Sequence, residues 1–228
     1  MAKTKKVILF IVEGITDQTA LGNVLTNLLN SETVRFAMTD GDITTNNSVT
    51  PSNVVNRVNA IVKVALQKNA FKSSDLYSVV HLIDTDGAFV PNTAVVEKSE
   101  AAHVEYTENS IQTANVESIL KRNAQKKSFV SILRGKSEIS KKPYKMFYFS
   151  RNMEHSLHNE SRELSSAEKM TLAEQFDDFY ADRPKDFVEH LRSGGFAAPG
   201  NYEDSWKFIN EGTHSLERWS NFHVFFDK

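Results

Sequence analysis

Residues 7–14, VILFIVEG, decide the fold class of this chain. The six consecutive apolar residues Val7–Val12 are typical of a strand that is buried on both faces. Glu13 and Gly14 then interrupt the apolar run. Strands of this kind occur in parallel sheets that are covered by helices. We therefore expect Val7–Val12 to be a central strand of an α/β protein.

The next part of the chain alternates between helical and strand patterns. Thr16 predicts a helix N-cap, and Asp17 suits the first turn, where the helix dipole favours an acid. After this helix, residues 33–38 predict a second strand, residues 54–70 a second helix and residues 77–83 a third strand. Strands that alternate with helices imply right-handed crossovers and a parallel sheet.

The rest of the chain predicts mostly helix. The charge changes sign near residue 150, because 18 basic and 14 acidic residues lie before that point and 9 basic and 15 acidic residues follow it. We therefore expect an α/β domain over residues 1–150 and a helical C-terminal extension, residues 151–228, packed on it. The periodicity predicts one strand at residues 146–150 and helices at residues 111–127, 154–159, 166–180 and 184–191.

The composition excludes several classes of function. The 228 residues include no cysteine, which excludes a disulfide framework, a thiol nucleophile, an iron–sulfur cluster and a cysteine-ligated zinc site. The first apolar run is too short for a secretory signal, and no stretch approaches the roughly 18 apolar residues of a membrane span. We expect a cytoplasmic protein without a membrane partner.

Residues 121–145 are strongly basic, with nine Lys or Arg side chains and one acid, Glu138. Such a concentration of positive charge is a candidate surface for the phosphates of a nucleic acid. A solvated basic loop would have the same composition, and composition alone favours neither interpretation. The nine residues are Lys121, Arg122, Lys126, Lys127, Arg134, Lys136, Lys141, Lys142 and Lys145.

Three carboxylates follow the ends of the first and third predicted strands. Glu13 ends the first strand, and Asp84 and Asp86 follow the third. Ligands of open parallel sheets bind beyond the carboxyl ends of the strands. If the two strands are neighbours, the three carboxylates converge and repel each other unless a cation neutralises them. Ligands that are all oxygen favour Mg²⁺ or Mn²⁺.

These residues resemble the Toprim domain. A strand that ends in Glu13-Gly14, with Asp17 four residues after the glutamate, precedes a strand that ends in Asp84-Thr85-Asp86. The Toprim domain occurs in topoisomerases, bacterial primases, recombination-mediator proteins, small ribonucleases and the OLD-type nucleases of phage defence. The resemblance covers residues 5–150 and implies a Rossmann-like parallel sheet flanked by helices.

The resemblance also implies a divalent-metal-dependent nuclease that cleaves DNA or RNA. Glu13 would be the general acid/base, and Asp84 and Asp86 would bind Mg²⁺ or Mn²⁺. Asp17 matches a further acidic position of the OLD-like branch. Glu154, on the helix after the fourth strand, matches a glutamate that supports a second metal. The alternative for Glu154 is a first-turn acid that interacts only with the helix dipole.

Three further residues have two interpretations each. Asp40 and Asp42 also follow a strand, but their commoner role is turn formation around Gly41, and a metal role is the alternative. His155 is a candidate for a place beside the phosphate, whereas a surface or hydrogen-bonded histidine is the commoner interpretation. The spacing of the histidines matches no zinc motif.

The sequence departs from the larger Toprim proteins in two respects. It lacks the cysteine zinc modules of primases, and it lacks the P-loop motif of the ATPase half of OLD proteins. We therefore expect a stand-alone Toprim nuclease of phage defence, with a separate ATPase or a second copy of the chain as candidate partners. The alternative is a non-catalytic module that binds nucleic acid or a protein within a larger assembly. The three retained carboxylates favour the nuclease.

Overall fold

The computed structural model describes residues 6–30, 32–39, 43–46 and 48–227. Asp40 and Asp42, two of the candidate turn or metal residues, lie outside these ranges. Strands and helices alternate in the first part of the described chain, and the main sheet is mixed with parallel pairing predominant. The prediction of an α/β fold is confirmed.

The strands agree with the predicted ones near the N-terminus and are more numerous after residue 90. Those in the described residues are β1 (Val7–Val12), β2 (Thr33–Met38), β3 (Leu76–Asp84), β4 (Val95–Glu97), β5 (Glu105–Tyr106), β6 (Ile111–Thr113), β7 (Glu138–Ile139) and β8 (Lys142–Phe149).

The main sheet has the strand order β2-β1-β3-β8-β7. β1 is parallel to both of its neighbours, and Phe10 lies opposite Phe36 on β2 and Val80 on β3. Every residue of β1 is buried, as predicted for a strand covered on both faces. The structure also confirms that the first and third strands are neighbours.

Most helices begin and end close to the predicted positions. The helices are α1 (Ile15–Leu28), α2 (Val54–Lys68), α3 (Val116–Arg134), α4 (Met153–His158), α5 (Ser166–Tyr180), α6 (Pro184–Ser193) and α7 (Tyr202–Phe208). However, α3 ends seven residues beyond the predicted end at residue 127, and α7 was not predicted. No helix in the described residues is both long enough and apolar enough to cross a membrane.

Two predicted details of the helices are wrong. The N-cap of α1 is Gly14 rather than Thr16, which lies inside the helix. The helix predicted from residue 111 begins at Val116, because Ile111–Thr113 instead pairs with β4 and β5 in a small second sheet. Asn115 then accepts a hydrogen bond from the main-chain N–H of Ser118, at 2.9 Å, at the start of α3.

The described chain forms two compact units. Unit 1 comprises Met1–Ile83, Phe129–Phe147 and Leu164–Phe187, and unit 2 comprises Asp84–Ser128, Tyr148–Glu163 and Val188–Lys228. Both units include residues from each side of position 150, where the sequence predicts a domain boundary.

Unit 1 contains the parallel pairs of the main sheet and two helices, α1 and α5, that pack against each other. α5 packs against α1, and two asparagines of α1 hold it there. Asn23 Nδ2 donates to Asp177 Oδ2 at 2.7 Å, and Asn27 Nδ2 donates to the carbonyl of Ala181 at 2.8 Å. Part of the predicted extension therefore belongs to the same unit as β1.

Unit 2 contains the small sheet and the aromatic C-terminal segment. Val90, Val95, Ile111 and Leu216 are buried together in one apolar cluster. Tyr148 of β8 packs edge-on against the Trp206 ring, with 4.9 Å between ring centroids. Trp206, near the C-terminus, thus contributes to the core of unit 2.

Candidate functional site

Glu13 and Asp17 lie in unit 1, Glu13 in the turn that joins β1 to α1 and Asp17 in the first turn of α1. The main-chain N–H groups of Glu13 and Gly14 both donate to Asp17 Oδ2, each at 3.0 Å. Asp17 therefore satisfies two donors at the helix N-terminus, where the dipole also favours a negative charge. This capping contact gives Asp17 a structural role beside the metal role that the Toprim resemblance implies.

The ends of β1 and β3 lie at the same edge of the main sheet. The two strands are parallel neighbours, with Ile11 opposite His81. Glu13 directly follows β1, and Asp84 is the last residue of β3. This is the arrangement of strand ends on which the predicted convergence of carboxylates depends.

The loop after β3, residues 84–86, is held in unit 2 by the turn after β8. The N–H of Thr85 donates to the carbonyl of Phe149 at 2.9 Å, and the N–H of Asp86 donates to the carbonyl of Arg151 at 2.8 Å. In return, the N–H of Arg151 donates to Thr85 Oγ1 at 2.9 Å. The two segments are therefore fixed to each other by three hydrogen bonds.

Asp86 and Arg151 both have left-handed backbone conformations. Their φ angles are 49° and 55°. Such conformations cost about 1–3 kcal/mol for a residue other than glycine and persist where the surroundings hold them. The strain is greater for Arg151, because aspartate tolerates this region better than most residues. Strained backbone of this kind is concentrated at functional sites.

The charge of Asp86 is neutralised by a buried lysine. Lys126 Nζ of α3 forms an ion pair with Asp86 Oδ2 and has a side-chain exposure of 0%, against 32% for Asp86. Arg122 lies one turn earlier, and its Nη2 donates to the main-chain carbonyl of Asp86 at 2.8 Å. The sequence assigned the neutralising role to a metal ion, whereas here an ammonium group carries it out.

Arg151 is a buried cation with an incomplete set of partners. Its Nη2 donates to the carbonyl of Ser161 at 2.8 Å, and its guanidinium lies 5.0 Å from the centre of the Tyr106 ring. Its Nε is buried without a hydrogen-bond partner. Burial lowers the pKa of Arg151. A buried donor without a partner is costly unless a ligand or water completes it.

Glu154 and His155 are both buried in the first turn of α4. Glu154 is 5% exposed and His155 is 8% exposed. An acid that only interacts with the helix dipole would be expected at the surface. The burial of Glu154 therefore argues against that interpretation. Asn152 caps the helix by accepting a hydrogen bond from the N–H of His155 at 2.8 Å.

His155 is held in its neutral form. Burial, followed by the positive charge of Arg151, lowers the pKa of its imidazole to about 4. Its Nδ1 is buried without a hydrogen-bond partner. In the neutral tautomer that carries its proton on Nε2, this nitrogen is a hydrogen-bond acceptor. The sequence analysis named His155 only as one of two alternatives, because periodicity does not reveal burial of a histidine.

The nine basic residues of 121–145 do not form a loop. Five lie on α3, two lie on β8, and Lys136 and Lys141 lie in the short connections before β7 and before β8. Arg122 and Lys127 donate to the main-chain carbonyls of Asp86 and Val90, and Lys126 is buried. Lys121, Lys136, Lys141 and Lys145 are exposed. Fewer of the nine residues can therefore belong to the predicted phosphate-binding surface, because Lys126 already pairs with a carboxylate.

The donors present are compatible with a hard cation, although the described chain does not assemble a multidentate site. In the described residues, no group of three or more His, Asp or Glu side chains is arranged to hold a metal. Mg²⁺ is usually held by one or two carboxylates, with water and substrate phosphate as its other ligands. Asp84 and Asp86 are both partly exposed and could supply such a pair.

Comparisons of the chain with protein-family models, curated proteins and solved structures gave no match. The resemblance to the Toprim domain therefore depends on the strand-end motifs.

The roles of the basic residues of this site were not predicted from the sequence. Neither the burial of Arg151 nor the pairing of Lys126 with Asp86 was anticipated. A signal was available for Arg151, which directly follows a strand at the same edge as Asp84. No comparable signal marks Lys126, because a lysine in a basic helix is normally exposed.

Proposed function

We propose that this protein is a divalent-metal-dependent nuclease that hydrolyses phosphodiester bonds in DNA or RNA. The observation that carries the proposal is the pairing of β1 with β3 as parallel neighbours, with a carboxylate at the end of each: Glu13 directly follows β1, and Asp84 is the last residue of β3. Residues at the carboxyl ends of adjacent parallel strands are well placed to meet a ligand.

The proposed roles follow the chemistry of each side chain. Asp84 and Asp86 would hold Mg²⁺ or Mn²⁺, with Glu154 and Asp17 as auxiliary carboxylates. When bound, the metal supplies charge stabilisation at phosphorus and lowers the pKa of a bound water. Glu13 would move a proton between the attacking water and the leaving oxygen.

The basic residues would hold the nucleic acid. Arg151 has a buried guanidinium with an unused donor and is suited to a phosphate oxygen. Exposed lysines such as Lys121, Lys136 and Lys145 would contact the phosphate backbone away from the scissile bond. Binding that depends on such contacts weakens steeply with salt. We propose phage defence as the setting, on the strength of the family resemblance alone.

A second candidate function is a non-catalytic module that binds nucleic acid or a partner protein. The ion pair between Asp86 and Lys126 favours it, because this carboxylate is neutralised without a metal. The two candidates make opposite predictions for the same substitutions.

The first prediction concerns metal-dependent cleavage. Purified protein is incubated with plasmid, single-stranded DNA or tRNA, with Mg²⁺, Mn²⁺ or EDTA. We expect cleavage that EDTA abolishes, and a loss of about a hundredfold or more for Glu13→Gln and for Asp84→Asn. Glu117→Gln, which changes an exposed acid in the first turn of α3, is the matched control and should cleave normally.

Three results would contradict the nuclease. They are cleavage that persists in EDTA, cleavage that is equal in wild type and both variants, and binding of nucleic acid by all proteins with no cleavage under any condition. The last result would instead support the non-catalytic module. A separate ATPase or a second copy of the chain remains a candidate partner in either case.

A further inference from the structure

Unit 1 has a groove of ≈ 770 Å³ beside α2. Leu76, the first residue of β3, lines it, and so do Ser140 and Lys141, which directly precede β8. The groove therefore lies at the amino ends of these strands, whereas Glu13 follows the carboxyl end of β1. We call it the α2 groove.

The turn that borders the α2 groove has a strained backbone. Ser140 and Lys141 connect β7 to β8 as a two-residue hairpin loop, with φ angles of 55° and 60°. Two successive left-handed residues define a turn that normally contains Asn-Gly or Gly-Gly. Neither residue here is glycine, so the surroundings hold a conformation that the residues do not prefer.

Asn59 of α2 accepts hydrogen bonds from this turn, and these bonds define which side-chain atom of Asn59 is the amide oxygen. The main-chain N–H and the hydroxyl of Ser140 both lie 2.8 Å from Asn59 Oδ1. A main-chain N–H can only donate, so the atom that it contacts must be the amide oxygen. Asn59 Nδ2 is therefore defined as a donor, and it has no partner among the described residues.

The α2 groove offers positive charge without any compensating acid. Lys63 and Lys141 line it, and among the described residues neither side chain has an ion-pair or hydrogen-bond partner. None of the described residues that line the groove is Asp or Glu. Two ammonium groups and a fixed amide donor are suited to the oxygens of a phosphate ester.

We propose that the α2 groove binds a phosphate-bearing small molecule of nucleotide size. The volume lies within the range of small-molecule sites. Buried Leu66 and Leu76 provide an apolar floor on which a base can lie, and Asn56 provides an amide for its polar edge. Two lysines suffice for one phosphate group, whereas a nucleic-acid duplex typically uses a longer row of cations. The site is independent of the proposed nuclease.

Calorimetric titration of the full chain tests this proposal directly. The probes are AMP, ATP, adenosine, inorganic phosphate and a deoxythymidine decamer. We expect AMP and ATP to bind with a Kd below about 1 mM, and adenosine at least about tenfold more weakly, because it lacks the phosphate. Lys63→Ala and Lys141→Ala should each weaken binding of AMP by about tenfold.

Lys68→Ala is the matched control, because Lys68 lies on the same helix and lines a different cavity. It removes the same charge and should leave AMP affinity unchanged. Asp84→Asn should also bind AMP normally, which separates this proposal from the nuclease. Equal weakening by Lys63→Ala and Lys68→Ala would overturn the site, as would equal affinity for AMP and adenosine. If only the decamer binds, the assignment of a small ligand is overturned. If inorganic phosphate binds as tightly as AMP, the proposed contact of the groove with the base is contradicted.

Discussion

At the scale of single residues, the most informative side chain is Lys126. Its side chain is fully buried and forms an ion pair with Asp86, which is one-third exposed. A buried charge is tolerated only with a partner, and removal of one partner is strongly destabilising. The exposure of Asp86 matters because a carboxylate that keeps water can remain charged without the lysine.

The difference in exposure between Lys126 and Asp86 leads to a prediction for Lys126. Lys126→Ala should lower the free energy of unfolding by about 3 kcal/mol, because it removes both the ion pair and the packing of the long side chain. Lys126→Met keeps most of the volume and should recover much of that loss, since Asp86 can be hydrated. Urea unfolding followed by circular dichroism measures both values.

Lys121→Ala is the control for this experiment, because Lys121 is exposed on the same helix. Its effect should stay within about 0.5 kcal/mol. If Lys126→Ala unfolds at the same urea concentration as Lys121→Ala, the burial of Lys126 is contradicted.

At the scale of elements, α5 illustrates how closely sequence signals can approach the correct boundary. The predicted helix spans residues 166–180, and the observed helix has the same bounds. The sequence predicts a weak start for this helix at Ser166, because Lys169 three residues later does not complete a capping box. The N-cap is instead Ser165, whose hydroxyl accepts from the N–H of Glu168, while the Glu168 carboxylate accepts from the N–H of Ser165.

This capping box supports a second stability prediction. Ser165→Ala should destabilise the protein by about 1 kcal/mol, because it leaves a main-chain N–H of α5 without its acceptor. Ser166→Ala changes the neighbouring exposed serine and should have little effect. Thermal unfolding of the two variants makes the comparison, and an equal shift in Tm for both would contradict the cap at Ser165.

The incorrect prediction of helix at residues 111–113 also concerns single elements. Ile111, Gln112 and Thr113 continue the apolar spacing of α3, so a periodic pattern includes them in the helix. They form β6 because β4 and β5 supply strand partners on both sides, and Ile111 enters the apolar cluster of unit 2. Tertiary pairing thus overrides a local helical pattern over three residues.

At the scale of the whole molecule, the buried His155 and the half-buried His158 predict how stability depends on pH. Burial is the largest cause that lowers the pKa of His155 and His158 from 6.5 to about 4. Nearby positive charge adds to it, from Arg151 and Arg218 at His155 and from His190 and Arg218 at His158. Both imidazoles are therefore neutral in the folded protein at pH 7.

The unfolded chain binds more protons than the folded chain between pH 6.5 and pH 4. Stability contributed by the neutral histidines is therefore fully present above pH 6.5 and is lost as the pH falls towards 4. One pKa unit corresponds to about 1.4 kcal/mol, so the loss should reach a few kcal/mol. Urea unfolding at pH 7, 6 and 5 measures it.

His155→Gln should make this pH dependence shallower, because it removes one of the two groups. His103→Gln is the control, since the His103 side chain is 66% exposed. A pH dependence that is equally steep in wild type and His155→Gln would show that His155 is not buried as described.

The sequence by itself determined the α/β class, the buried strand β1 and the order of most helices and strands. These features depend on apolar periodicity and on breaks such as Glu13-Gly14, which are local properties of the chain. Only the tertiary structure decided the surroundings of the charged groups. Lys126 meets Asp86 across 40 positions, and Asn59 meets Ser140 across 81 positions. Burial and pairing at such separations depend on how the elements pack, and a local pattern of residue types does not contain that information.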